Sequence, residues 1–202
     1  MSPRVDLVIG CNGAGKTTLV DRHLIPILGT PFVNADEIAR QRWPDDPEAH
    51  SYEAADVAAA TRTTLIRLGR SFIAETVFSH PSKLDLIDAA HDHGFRVILH
   101  VVVVPEAYAV ERVRLRVAGG GHAVPVDKIR QRYQRVWPLA VQAIRAADQA
   151  TVYDNRGRRT RVLARFFNGV PTPPTQWPEW TPSAFIDAWP TGYEQNHSPP
   201  DA

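Results

Sequence analysis

At 202 residues the chain fits one domain with an appendage and is too short for a large multi-domain machine. Hydrophobic residues make up 44% and charged residues 22%, enough apolar material for a sizeable core, which excludes global disorder. The 23 Lys and Arg against 22 Asp and Glu leave a net charge of +1, which argues against nucleic acid or an anionic membrane as partner.

Residues 4–9 read as a short buried strand. Residues 16–28 read as a helix with Leu19, Val20, Leu24 and Ile27 on one face. Phe32 and Val33 suggest a second strand, followed by helices over 35–40 and 48–70, and residues 72–74 resume the strand signal. Leu84 and Ile87 place a helix over 83–93, which Gly94 ends. Residues 96–104 are the most β-branched run of the chain, and their hydrophobicity predicts a strand buried on both faces.

Residues 105–117 and 126–147 form a helical pair split by Gly119, Gly120, Gly121 and His122, a hinge-like connector, with Pro125 placed to open the second helix. Strands over 150–153 and 161–167 complete the set. The alternation predicts an α/β fold with a mostly parallel sheet covered by helices on both faces. Composition changes after Gly169: residues 170–202 hold eight of the 17 prolines and Trp177, Trp180 and Trp189, with no regular element easily drawn. The expected organisation is a domain over 1–169 and a Pro/Trp-rich tail over 170–202, an irregular strap docking its tryptophans on the body.

The longest apolar stretch, residues 97–105, interrupted by His100, is too short to span a bilayer, and no secretory leader precedes the first strand, so a cytoplasmic location is expected. The single cysteine, Cys11, excludes an internal disulfide and a multi-cysteine zinc site.

Gly10-Cys11-Asn12-Gly13-Ala14-Gly15-Lys16-Thr17 matches G-x-x-x-x-G-K-[ST] between a predicted strand and helix. The glycines let backbone N–H groups converge on phosphate oxygens, and the helix N-terminus adds partial positive charge. Lys16 reaches the β- and γ-phosphates and Thr17 offers its hydroxyl to Mg2+; Thr18 closes the expected ATP-binding segment. Cys11 is either a redox switch with a thiol activated by the helix N-terminus or a side chain tolerated where the backbone binds, and the latter is preferred.

Asp36 stands just beyond the second strand, where an open parallel sheet places its ligands, and suits a carboxylate that accepts a proton during phosphoryl transfer. The competing reading is local: Asn34 and Glu37 have capping-box spacing, and Asp36 also favours a helix N-terminus. Between Glu111 and Arg135 lie Arg112, Arg114, Arg116, Lys128, Arg130, Arg132 and Arg135. The i,i+4 pairs Arg112/Arg116 and Lys128/Arg132 predict two basic faces that close over a triphosphate as a lid, against the alternative of a solvated face. Arg156-Gly157-Arg158-Arg159 reads as a solvated basic turn, with nucleic-acid contact as the alternative.

The P-loop, Phe32-Val33-Asn34-Ala35-Asp36-Glu37-Ile38-Ala39, Ser71-Phe72-Ile73-Ala74-Glu75-Thr76, and residues 120–125 with Arg130-Gln131-Arg132-Tyr133 together resemble the small branch of the zeta toxin family over about the first 155 residues. The resemblance implies a P-loop kinase that uses ATP and Mg2+ to phosphorylate a hydroxyl, in the better-understood members that of a UDP-amino-sugar, in a related effector that of NAD. It puts the catalytic aspartate at Asp36, an acid for Mg2+ or substrate at Glu75, and a lid arginine at Arg112. A second lid arginine falls on His122, leaving Arg116 or Arg132 to compensate. Where the UDP-amino-sugar kinases carry a substrate-binding arginine, this chain has Ser79, so that specificity is not carried over.

The expected function is therefore transfer of the ATP γ-phosphate to a hydroxyl of a small metabolite or nucleotide-sugar-like compound, with an antitoxin protein as a further partner implied by the resemblance. The alternatives are another small-molecule or nucleotide kinase of this fold, and a non-catalytic ATP-binding switch that works through its Pro/Trp tail.

Overall fold

In the computed structural model, which describes residues 2–119 and 124–192, strand β4 (Arg96–Val103) is buried at every position from Leu99 onward. Both residue parities are covered, so the sheet is walled by helices on each face, as its apolar run predicts. The sheet has seven strands in the order β2-β3-β1-β4-β5-β6-β7. The others are β1 (Arg4–Ile9), β2 (Phe32–Val33), β3 (Phe72–Thr76), β5 (Gln149–Asp154), β6 (Arg161–Phe167) and β7 (Val170–Pro171). β2, β3, β1, β4 and β5 are parallel, and β6 and β7 add an antiparallel edge.

The helix expected over 16–28 is three pieces: α1 (Lys16–Leu19), a π-helical turn (Val20–Leu24) and α2 (Ile25–Leu28). Pro26 explains the break, because it has no N–H to give the carbonyl four residues back, and the turn before it widens. α3 (Ala35–Arg42) follows β2. The helix expected over 48–70 is α4 (Ser51–Arg67), three residues shorter at each end. At its C-terminus Gly69 adopts φ +62, and the N–H of Arg70 reaches back to the Leu65 carbonyl, a left-handed stop that a side chain would oppose.

A 3-10 turn (Pro81–Lys83), capped by His80, leads into α5 (Asp85–Asp92). α6 (Glu106–Ala118) and α7 (Val126–Ala146) are the basic pair; the connector residues Gly120, Gly121 and His122 lie outside the described residues.

The tail holds more order than its composition suggests. Besides β7 it forms α8 (Ser183–Ala188), which packs on α7. Phe185 and Trp189 are fully buried within the main core; the Phe185 ring lies 5.8 Å from Trp137 of α7 and the Trp189 ring 4.6 Å from Phe166 of β6. Trp177 donates its indole N–H to the Trp189 carbonyl at 2.7 Å, and Trp180 lies under the Arg156 guanidinium at 4.3 Å. Burial of aromatic rings, rather than local propensity, orders this segment. Among the described residues no helix is long and apolar enough to cross a membrane.

Candidate active site

β1 ends where the glycine-rich loop begins, and the loop can form only with bare Cα atoms. At Gly13, φ is +77 and a Cβ would run into the Ala109 carbonyl oxygen; at Gly15, φ is +88 and a Cβ would strike the Asn155 side-chain amide. Lys16 is buried, its ammonium donating to the Cys11 carbonyl at 3.1 Å and standing 3.9 Å from a Glu75 carboxylate oxygen. A buried lysine on a loop carbonyl is pre-aimed at whatever the loop encloses.

Cys11 itself is buried, and burial pushes its thiol up to about 12 against the pull of Lys16. Desolvation overrides the helix N-terminus, so the thiol is not activated for redox chemistry.

Glu75, at the end of β3, accepts hydrogen bonds from the Thr17 hydroxyl at 2.9 and 3.2 Å and from the Asn34 amide at 2.9 Å. Burial pushes its carboxyl upward, opposed by Lys16 and by the Thr17 hydroxyl. Asn34 has two tasks: its side-chain oxygen also accepts from the Asp36 N–H at 2.8 Å and the Glu37 N–H at 3.3 Å, capping α3. The cap is thus made by Asn34. The Asp36 carboxylate is left exposed on the wall of the same cleft.

β3 then turns through Phe78, whose φ of +58 is uncommon for a bulky residue and is held by full burial of the ring. The next residue, Ser79, lines the cleft.

From the opposite side, Arg112 of α6 donates to the carbonyls of Asn155 at 2.7 Å and Arg156 at 3.2 Å and lies against Gly15. Arg132 of α7 donates to the Asn12 side-chain oxygen in the loop at 3.3 Å. Arg116 and Lys128 line the same space. The cleft, about 1230 Å3, brings together Asn12, Gly13, Gly15, Lys16, Thr17, Thr18, Asp36, Glu75, Ser79, Arg112, Arg116 and Arg132. Of the sequence-selected positions, Gly10, Cys11 and Ala14 shape the loop from behind without lining it.

The turn from β5 to β6 belongs to the site and was expected to be solvated. Asn155 donates to the Ala14 carbonyl at 2.7 Å and accepts from the Thr160 hydroxyl at 3.0 Å, while Gly157, Arg158, Arg159 and Thr160 line the cleft. Only Arg156 turns away, paired with Asp154 at 3.0 Å. The basic turn is thus the rim of the phosphate loop. Its closest cue in the sequence is the Arg156–Arg159 run, which says nothing of a partner so far away along the chain.

The donor set fits a small hard cation. The Thr17 hydroxyl and the Glu75 carboxylate are adjacent oxygen donors beside the phosphate loop, too few to form a closed cage and suited to an ion that also takes phosphate oxygens and water. Among the described residues no group of three or more His, Cys, Asp or Glu side chains is placed to hold a metal ion.

Residues 5–139 match the family model for the AAA domain, more than half of the chain. A dephospho-CoA kinase of Chlorobium luteolum is 28% identical over 195 residues, covering 89% of this chain and 79% of that protein. Among solved structures, the AvrRxo1-ORF1:ORF2 complex with ATP shares the fold at a TM-score of 0.66 and 16% identity, over 85% of this chain and 60% of that one. The present chain thus spans about 60% of that protein's length. The PezAT chromosomal toxin-antitoxin system of Streptococcus pneumoniae gives a TM-score of 0.56 at 14% identity, over 79% of this chain and 71% of that one. With its parallel sheet, its phosphate loop after β1 and this match, the chain belongs to the AAA domain family, in the P-loop kinase-like form.

Proposed function

We propose that this chain is a zeta-toxin-like kinase that transfers the γ-phosphate of ATP to a hydroxyl of a small metabolite or nucleotide-sugar-like compound. The observation that carries the reading is that Asp36, the Thr17/Glu75 pair and Lys16 share one cleft with two arginines brought in from separate helices. A pure nucleotide switch has no need of a free carboxylate there.

Lys16 and the loop N–H groups hold the β- and γ-phosphates. Thr17 and Glu75 would hold Mg2+, which when bound neutralises charge on the phosphate oxygens. Asp36 takes the proton of the acceptor hydroxyl as its oxygen bonds to the γ-phosphorus and the bond from that phosphorus to the β,γ-bridging oxygen breaks, leaving ADP. Arg112, with Arg116 and Arg132, stabilises the charge on the transferring group, and its hold on the Asn155 and Arg156 carbonyls fixes the guanidinium beside the loop.

The Ser79 hydroxyl offers the acceptor a single hydrogen bond where an arginine would offer a bidentate one, which is why UDP-sugar specificity is left out of the reading. The PezAT likeness makes an antitoxin-type protein a partner to seek.

The test is incubation of the purified protein with ATP, Mg2+ and a metabolite extract, dephospho-CoA being added as a defined acceptor. Mass spectrometry then looks for a new phosphorylated product that the Lys16→Ala variant does not form. Hydrolysis of ATP with no acceptor modified would sink the kinase reading.

A further inference from the structure

Behind Glu75 a second cavity of about 490 Å3 opens between α4 and α5. Its walls include the apolar Leu7, Ile66, Ala74 and Leu86, and it shares Glu75, Thr76 and Lys83 with the phosphate cleft, so the two spaces adjoin at the end of β3. Arg62 of α4 and Lys83 of the turn before α5 project into it together. Among the described residues neither side chain has a hydrogen bond or an ion pair.

The two acids in the cavity wall, Glu75 and Asp85, do not serve them. Glu75 is engaged by Thr17 and Asn34, and Asp85, though in the wall, makes no ion pair with either cation. Burial pushes the Arg62 guanidinium below its ordinary value; burial and then the Arg62 charge push the Lys83 ammonium down as well. Two like charges held together against an apolar wall without a counter-ion destabilise the empty protein. An oxyanion between them removes that cost, and the apolar wall strengthens the attraction. Arginine supplies a planar fork for a carboxylate or phosphate, and lysine a point charge.

We propose that Arg62 and Lys83 bind an oxyanion of the phosphate acceptor, so that this enzyme takes a hydroxylated acid or a phosphate ester and not a neutral alcohol. The assignment rests on the kinase reading above and gives it a substrate class. The acceptor spans the two cavities, its anionic end against Arg62 and Lys83, and its reacting hydroxyl on the Asp36 side of Glu75.

Two measurements test it. In the first, protein with its loop filled by ADP and Mg2+ is titrated calorimetrically with inorganic phosphate as the phosphate probe and malonate as the carboxylate probe. Saturable binding of at least one probe is expected, weakened roughly ten- to a hundredfold in Arg62→Gln and in Lys83→Gln, the effect of losing a charged hydrogen bond. Each substitution removes an uncompensated, half-buried charge, so both variants should fold and melt no lower than the parent protein. Absence of binding, or binding that neither substitution alters, overturns the site.

In the second, the metabolite extract is divided on an anion-exchange resin and each fraction is offered with ATP and Mg2+. Product from the retained fraction, with the acceptor KM raised in Arg62→Gln and the ATP KM unchanged, supports the assignment. Product from the flow-through alone overturns the anionic acceptor while leaving the kinase standing. No product from either fraction, with probe binding intact, sinks the kinase reading and the acceptor assignment with it.

Discussion

Replacing Arg112 by alanine separates a catalytic arginine from a structural one, because the structure sets different magnitudes on the two roles. Arg112 makes two hydrogen bonds from a charged donor, at 2.7 and 3.2 Å, to carbonyls of the β5–β6 turn. Such bonds contribute about 1.5–3 kcal/mol each at most. One of these is long and the residue is half-exposed, so their joint loss should cost about 2 kcal/mol. For a chain of this size that lowers Tm by about 4–8 °C and leaves the protein folded at 25 °C. An arginine that stabilises charge on the transferring phosphoryl group is worth about 10³–10⁵ in kcat, or roughly 4–7 kcal/mol of barrier. The assay is steady-state ADP release with saturating ATP and acceptor, read beside a melting curve on the same preparation. Arg112→Ala should lose at least about a thousandfold in kcat, and Arg112→Lys should recover little, since an ammonium cannot hold both carbonyls and a phosphate oxygen. A kcat within a few-fold of the parent, together with the expected drop in Tm, would show that Arg112 only fastens the turn to α6.

Asp36→Asn keeps the side chain's shape and leaves the cap on α3 intact, because Asn34 makes that cap; ATP binding by equilibrium dialysis should be unchanged while transfer falls by about 10²–10⁴. Glu75→Gln should abolish turnover yet raise Tm at pH 7. Its carboxyl is raised above the ordinary 4.5, so the folded state holds that proton more tightly than the unfolded one, and ionisation costs stability as pH rises through the raised value. For the same reason activity that needs ionised Glu75 should fade on acidification sooner than an ordinary carboxylate would dictate, a limb visible in the pH profile of kcat/KM for ATP, which reports the free enzyme. Asp6 carries the opposite sign: its carboxyl is held below the ordinary 3.8, against the upward push of burial, by His100 at 3.0 Å and by Arg4. The stability it confers is present above that value and is lost as pH falls through the depressed one, and Asp6→Asn should cost about 3 kcal/mol in denaturant melts at pH 7.

The elements legible in the sequence are those whose signal is local. The match to a phosphate loop needs only eight consecutive residues, and the burial of β4 follows from a β-branched-rich apolar run interrupted by His100. The position of Asp36 after a strand was readable too; that Asn34 alone would cap α3 and also steady Glu75 was not, because the partner is 41 residues away. Asn155 reaches the loop across 141 residues, and nothing in its own neighbourhood distinguishes it from any turn asparagine. Arg62 belongs to no motif, and its meaning comes only from the cavity it shares with Lys83. The six residues of α8 sit among prolines and have too few turns for periodicity to show; their order comes from rings buried against α7 and β6.

That docking of the tail on α7 has a mechanical consequence for the other end of the helix. Phe185 fastens Trp137, and Arg132 stands five residues earlier, about 7.5 Å along the axis. α7 therefore acts as a lever clamped near its middle, with the Asn12 contact of Arg132 on the N-terminal arm facing the phosphate loop. A chain cut at Gly169 loses the clamp and bares Trp137 and Phe166, so such a truncation should disturb nucleotide affinity from a distance even though no residue of the tail up to Gly192 lines the cleft.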